Sequence, residues 1–289
     1  MAELNEILDP TLNAVFFMLT DEKYINDFLK PLCLSIASLS ADEVAEITIV
    51  DPRIQINSPD ETQGTVDVRI RTHMGTTIHI EIQRRYFKNL PVRTSMQHSK
   101  LYGMQYGVGH KYDKVCRTIT LLITKFRIFE DEKYFCRYCM ANPLSGQVFD
   151  DNSEIYALVL SQLPKESDNT PAWAWGKFFK AKTKEELDML AQDNPIIQRA
   201  VAILKDLSKD EAVRWQAEKE MTAQLDQMDW EDTIREEAEN KGIKKGIKKG
   251  MELGEQKAAR AMYKHGISVA DIAFEFDRTV QEIEKWIEQ

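Results

Sequence analysis

GTVDVRIRTHMGTTIHIEIQRR, residues 64–85, alternates apolar and polar side chains twice, once on each side of Met74-Gly75-Thr76. Alternation of period two over runs of this length predicts strands, here Thr65–Arg71 and Thr77–Gln83, joined by a tight turn. Val66, Val68 and Ile70 share one face of the first strand, and Asp67 lies on the other. Ile78, Ile80 and Ile82 share one face of the second, opposite His79, Glu81 and Gln83. That phasing sends the isoleucines to the core and the acids to a polar, solvent-facing side. Paired as a hairpin, the strands bring Asp67 and Glu81, fourteen positions apart (81 − 67), to one point. Carboxylates held that close repel unless a proton or a cation lies between them. Oxygen ligands of this kind suit Mg²⁺ or Mn²⁺.

Phosphodiester hydrolysis needs such a cation. It neutralises the phosphoryl oxygens, lowers the pKa of bound water and stabilises the leaving oxygen. Gln83 points to the side of Glu81 and is placed to orient a water, though it adds no charge where a lysine would. Taken alone, D-x(13)-E-x-Q also fits the wet face of an ordinary sheet.

Outward from this segment the chain reads as mixed α/β. Towards the N-terminus, residues 10–39 carry apolar positions at helical spacing, among them Leu12, Val15, Phe16 and Leu19, then Ile25, Phe28, Leu29 and Leu32. Ile47 and Ile49 suggest a strand closed by Asp51-Pro52. Towards the C-terminus, a helix is expected from Arg93 to Val108, a buried strand at Arg117–Thr124 and another at Ile155–Leu163. From Trp173 onward nearly everything reads as helix, and Ser208 with Glu211 matches a capping box.

The net charge of −9 excludes a strongly basic DNA-coating protein but not a nuclease, whose phosphate contacts come from a few local cations. Hydrophobic residues at 43% are enough for a sizeable core. No secretory signal is evident and no run approaches the roughly 20 apolar residues of a membrane span, so a cytoplasmic protein without a membrane partner is expected. Of four cysteines only Cys136 and Cys139 form a C-x-x-C pair, and no second pair completes a zinc site.

One internal repeat stands out. GIKKGIKKGMELGEQ sets Gly242, Gly246, Gly250 and Gly254 four residues apart, beside Ile243, Ile247 and Met251. Each glycine costs a helix about 0.8–1 kcal/mol relative to alanine. A helix–helix packing surface that compensates, and with it a homo-oligomer, is the leading reading; a mobile tether and a lysine contact with nucleic acid are the others. The tail beyond reads as two short helices with a small core of Ile272, Ala273 and Ile283, close to half of a helix-turn-helix.

The pieces also fall in a known order. DPTLNAVFFML, TVDVRI, IHIEIQ, RTSMQHSKLYGMQYGVGHKYDKV, ITLLITKFRIF, WAWGKFF and KEELDMLAQDNPIIQRAVAIL, closed by the glycine-repeat tail, resemble the recombination-promoting nuclease (Rpn) family of transposase-related proteins within the PD-(D/E)XK nucleases. Arg93, Leu101-Tyr102, Gln105, Gly109 and Tyr112 fall in step with that family. The resemblance implies a restriction-endonuclease-like α/β core, a mixed central sheet flanked by helices, with a helical C-terminal extension. It implies a magnesium-dependent endonuclease acting on double-stranded DNA, Asp67 and Glu81 matching the metal-binding acids. Gln83 stands where the wider superfamily has its lysine, and E-x-Q is common within this family. The family's N-terminal D-x-x-F-K departs here at Asn13 or its neighbours, and no role is carried over.

Around these acids several side chains carry two readings each. Arg93 is a phosphate clamp or an ion-pair partner. Arg84, Arg85 and Lys88 are DNA-backbone contacts or a solvated charge run. His79 is a general base or a histidine at the edge of the site, while Tyr102, Gln105 and Tyr112 read as packing and hydrogen-bonding residues. The expected division is a nuclease-like core over 1–165, a helical subdomain over 166–238, and a glycine-repeat helix with a small tail over 239–289. A catalytically weak nuclease fold acting as a DNA-binding or oligomeric regulator is the alternative function.

Overall fold

The computed structural model describes residues 7–50, 65–105, 112–130 and 133–288, without the side chains of Thr65, Val66, Asp67 and Asp113. It forms two compact units, Met1–Thr222 and Ala223–Gln289.

In the first unit, α1 (Asn13–Leu19) buries Val15, Phe16 and Leu19. A π-helical turn, Ile25–Leu29, leads into α2 (Lys30–Ile36), which buries Leu32, Cys33 and Ile36. Strand β1 (Ile47–Ile49) pairs antiparallel with β2 (Thr65–Thr72), and β2 pairs antiparallel with β3 (Thr77–Gln83). The turn between them needs Gly75. Its φ is +91°, and a Cβ there would lie 2.6 Å from Cys116 Sγ, so any other residue is both strained and crowded.

From β3 the chain crosses through α3 (Leu90–Gly103) into β4 (Thr118–Thr124), which lies parallel to β3. A crossover of this length is what parallel pairing requires. Strands β5 (Phe135–Ala141) and β6 (Val148–Val159) form an antiparallel hairpin, with β6 parallel to β4. The described strands make one mixed sheet in the order β1-β2-β3-β4-β6-β5. Helices α4 (Pro171–Lys180), α5 (Lys184–Asp193) and α6 (Pro195–Leu207) share a single apolar core with the sheet, α1 and α2. Helix α7 (Glu211–Lys264) follows. The arrangement is the restriction-endonuclease-like fold with a helical C-terminal stretch.

Four expectations need correction. The polar face of β3 is not solvent-facing, since His79, Glu81 and Gln83 are all buried. A strand with neighbours on both edges, one of them parallel, is covered on both faces, here on the polar side by α3. Strand β5 went unread because it is an edge strand of mostly half-exposed residues without clean alternation, and β6 begins at Val148 rather than Ile155 because that edge pairing extends it over a polar stretch. Helix α3 starts at Leu90, with Pro91 in its first turn, and its expected end at Val108 lies outside the described residues. Ser208 closes α6 rather than opening α7, whose first amides, of Ala212 and Val213, donate instead to the Asp210 carboxylate at 2.9 and 3.1 Å.

In the second unit, α8 (Val269–Glu275) and α9 (Val280–Glu288) close on the end of α7 around Ala259, Ile272, Ala273 and Ile283. Gly266 at φ +85° ends α7, and the Ser268 hydroxyl caps α8 by accepting from the Asp271 amide. No described helix is long and apolar enough to cross a membrane.

Candidate active site

The register of β2 and β3 sets Asp67 directly across from Glu81, and Thr65 across from Gln83. Directly opposed residues on antiparallel strands point to the same face with Cα atoms roughly 4.5–5.5 Å apart. The backbone therefore delivers the juxtaposition expected from the sequence; the Asp67 side chain itself lies outside the described residues.

The Glu81 carboxylate is fully buried. The Arg93 guanidinium lies on it, Nη2 donating to Glu81 Oε1 at 2.5 Å and to Gln83 Oε1 at 2.8 Å. Arg93 reaches the strand from the first turn of α3, and its guanidinium also lies 5.5 Å from the centre of the Phe87 ring. The Gln83 amide is oriented at both ends, its Nε2 donating to the Arg85 carbonyl at 3.2 Å. Of the two readings of Arg93, the ion pair is the one in place. A buried carboxylate needs such a partner, because an acceptor left without one in a dry site is costly.

Arg84 is turned away from the polar face into a second network. It donates to Asp9 at 3.3 Å and lies 3.7 Å from Glu220, and only 13% of its side chain is exposed. Asp9 also accepts from Lys125 Nζ at 2.7 Å and from the Thr11 amide at 2.9 Å. Burial alone would raise the Asp9 pKa, but Lys125, Thr11 and Arg84 together hold it below the ordinary carboxylate value. Arg85 is half-buried, and Lys88 is exposed.

On the buried face of α3 lies a histidine that no motif marks. His98 is buried, with Nδ1 2.9 Å from Thr120 Oγ1 and Nε2 2.9 Å from Ser153 Oγ. Desolvation, and then repulsion from His79, push its pKa down to about 4 against a smaller opposing pull from Glu154. His79 is itself buried.

Tyr102 and Gln105 are hydrogen-bonding residues as expected. The Tyr102 hydroxyl donates to Asp150 at 2.7 Å, and Gln105 ties the end of α3 to β4, its Nε2 donating to Thr118 Oγ1 at 2.7 Å and its Oε1 accepting from the Cys116 amide at 2.9 Å. Tyr112 is 78% exposed. Cys136 and Cys139, both free, sit three residues apart on β5 and so face opposite sides of it, which removes them as a chelating pair.

Sequence reasoning missed Asp9, Lys125, His98 and Glu220. Only Lys125 had a readable signal. It directly follows a strand that runs parallel to β3, so it must emerge beside Gln83; its amide does donate to the Gln83 carbonyl at 3.2 Å.

A mixed sheet with two opposed acids on adjacent strands is the framework of a PD-(D/E)XK nuclease core. The model of the PD-(D/E)XK nuclease family transposases matches residues 17–235, and the chain belongs to that family. Neither a curated protein nor a solved structure matches it.

Proposed function

We propose that this chain is a metal-dependent endonuclease that hydrolyses phosphodiester bonds of double-stranded DNA in recombination or mobile-element biology, with Asp67, Glu81 and Gln83 at its centre. One observation carries the reading: the strand register opposes Asp67 to Glu81, and Gln83 follows on the same face.

The donor set fits a hard divalent cation. Carboxylate and amide oxygens are the ligands Mg²⁺ and Mn²⁺ take. Among the described side chains no three His, Cys, Asp or Glu residues group as a metal site, so Asp67 is the ligand the proposal requires in addition to Glu81. Bound there, the ion would supply charge neutralisation of the phosphoryl group and a more acidic water. The chain's own residues supply the rest. Burial of Glu81 fixes the carboxylate in one place. Gln83, held by Arg93 and by the Arg85 carbonyl, is oriented to align a water. Arg93, released from Glu81, is within reach of a phosphate, and Arg85 and Lys88 flank the strand end for backbone contacts. Arg84 is the weakest member of that expected cluster, given its pairing with Asp9 and Glu220. The division by role, 1–165 for chemistry, 166–238 as helical support and 239–289 for self-association, belongs to the same proposal.

The Arg93–Glu81 pair also favours the second reading, a nuclease fold that cleaves weakly and acts by binding or assembly. A cation must displace a guanidinium to reach that carboxylate. Plasmid nicking with Mg²⁺, with EDTA, and with Asp67→Ala and Glu81→Ala separates the two. We expect nicking that requires metal and drops by about 10²-fold or more in either variant, since a lost ligand forfeits several kcal/mol of transition-state stabilisation. Nicking at the wild-type rate by both variants would remove the proposal; no nicking by the wild-type protein favours the second reading.

A further inference from the structure

The C-terminal ends of three parallel strands lie level, Gln83 opposite Thr124 and Thr124 opposite Val159. Beyond such ends, open α/β sheets characteristically bind ligands. Past the ends of β4 and β6 there is a cavity of about 280 Å³ whose lining includes Asp9, Lys125, Ser161, Phe179, Lys180 and Lys182. Three ammonium groups meet one carboxylate, and that carboxylate is already taken up by Lys125, Arg84 and Thr11. Among the described residues neither Lys180 nor Lys182 has a carboxylate partner.

The two lysines are placed by the chain rather than loosely displayed. Lys180 ends α4, Ala181 is extended at φ −58° and ψ 136° and buried, and Thr183 opens α5 with a complete capping box. Lys182 is fixed at its amide, which donates to Glu186 at 2.8 Å. Both lysines line the same cavity. Burial, then repulsion from Lys177 and Lys182, lowers the Lys180 pKa. Lys180–Lys182 also border a second hollow of about 740 Å³ that includes Trp173 and Lys177, with Glu186 and Asp193 on its α5 side. Two hollows sharing one lysine ridge suit a chain of phosphates better than a single ion.

We propose that Lys180 and Lys182, with Lys125, form a phosphate-binding site that holds the backbone of a DNA strand beyond the carboxyl ends of β4 and β6. This rests on the nuclease reading above for its substrate, but not for its test.

The experiment is fluorescence anisotropy of a labelled duplex in EDTA, where no cleavage intervenes, across a salt series. The Lys180→Gln, Lys182→Gln double variant should bind at least tenfold more weakly at physiological salt. Its log K against log [salt] slope should be shallower by about 1.8, two contacts at about 0.9 each. Lys180→Arg with Lys182→Arg should retain wild-type binding, and matching thermal melts would show that all three proteins fold. Duplexes with 5′-phosphate and 5′-hydroxyl ends separate the sources. Equal weakening on both supports a backbone phosphate, whereas an effect confined to the 5′-phosphorylated duplex, with competition by inorganic phosphate, replaces it by a terminal phosphate. Wild-type affinity and slope in the glutamine variant, or a wild-type protein that binds neither duplex, overturns the site. Lost binding in that variant together with unchanged nicking by Asp67→Ala would leave the site standing and remove the nuclease centre alone.

Discussion

Glu81 on β3 and His98 on α3 are both buried where that helix covers the sheet, and each has its own partners. Glu81 is buried against a cation, Arg93 donating to it at 2.5 Å. His98 avoids charge altogether, its two ring nitrogens within 2.9 Å of the Thr120 and Ser153 hydroxyls. That choice has a pH consequence. An unfolded histidine takes its proton near pH 6.5, whereas the folded one holds off until about 4. As pH falls below 6.5 the unfolded state gains a proton that the native state refuses, so stability declines, and the decline from this group stops once pH passes below 4. Between pH 7 and pH 5 the loss from His98 should be about 2 kcal/mol. Urea midpoints at the two pH values, for wild type and His98→Gln, isolate it from the carboxylates common to both. The variant should lose less by about that amount; parallel losses would mean that His98 is protonated in the fold.

At the scale of elements, the hairpin of β2 and β3 is legible because alternation, turn and core face agree over every residue of Thr65–Gln83. The amphipathic helices α5 and α6 are legible for the same reason, their apolar stripes being continuous. Strand β5 is not, since an edge strand needs neither a buried face nor regular alternation, only a partner, and β6 supplies it. The solvent-facing site was also misplaced, because alternation specifies two unlike faces but not what later covers the polar one. Asp9 and Glu220 come from distant segments and leave no local trace. Glu220 is the extreme case. From α7 it accepts from the Asn13 and Ala14 amides, both at 3.0 Å, and so caps α1 across 207 positions of chain. No side chain of α1's own N-cap residue, Leu12, does so. Glu220→Ala should therefore destabilise the first unit by about 1–2 kcal/mol, the usual worth of a lost cap. Glu220→Gln should recover part of it by keeping an acceptor. A chemical-denaturation midpoint unchanged by the alanine variant would show that these contacts contribute nothing.

For the whole molecule, the unresolved energetic question is the 54-residue helix α7, Glu211–Lys264. Among the described residues, no atom outside the helix's own neighbouring backbone lies within 4 Å of where a Cβ of any of its four repeat glycines would be. Their helical cost, about 0.8–1 kcal/mol each, is uncompensated by contacts of the monomer. The adjoining apolar positions are equally unused, with Ile243 52%, Ile247 58% and Met251 64% exposed. Residues four apart form a row along one side of a helix, and small residues beside apolar ones are what let a second helix approach closely. The flanking lysines argue against a membrane as that second surface, since no described helix meets the length and apolarity of a span. The prediction is that a second copy of α7 packs on this row. Light scattering should accordingly give a mass above the monomer for the full chain. Ile243→Asp with Ile247→Asp should shift it towards the monomer without changing the melting of the first unit, and removal of the chain from Glu239 should do the same. Equal masses for all three proteins at micromolar concentration would eliminate self-association through this helix and leave its glycines to a role in tethering.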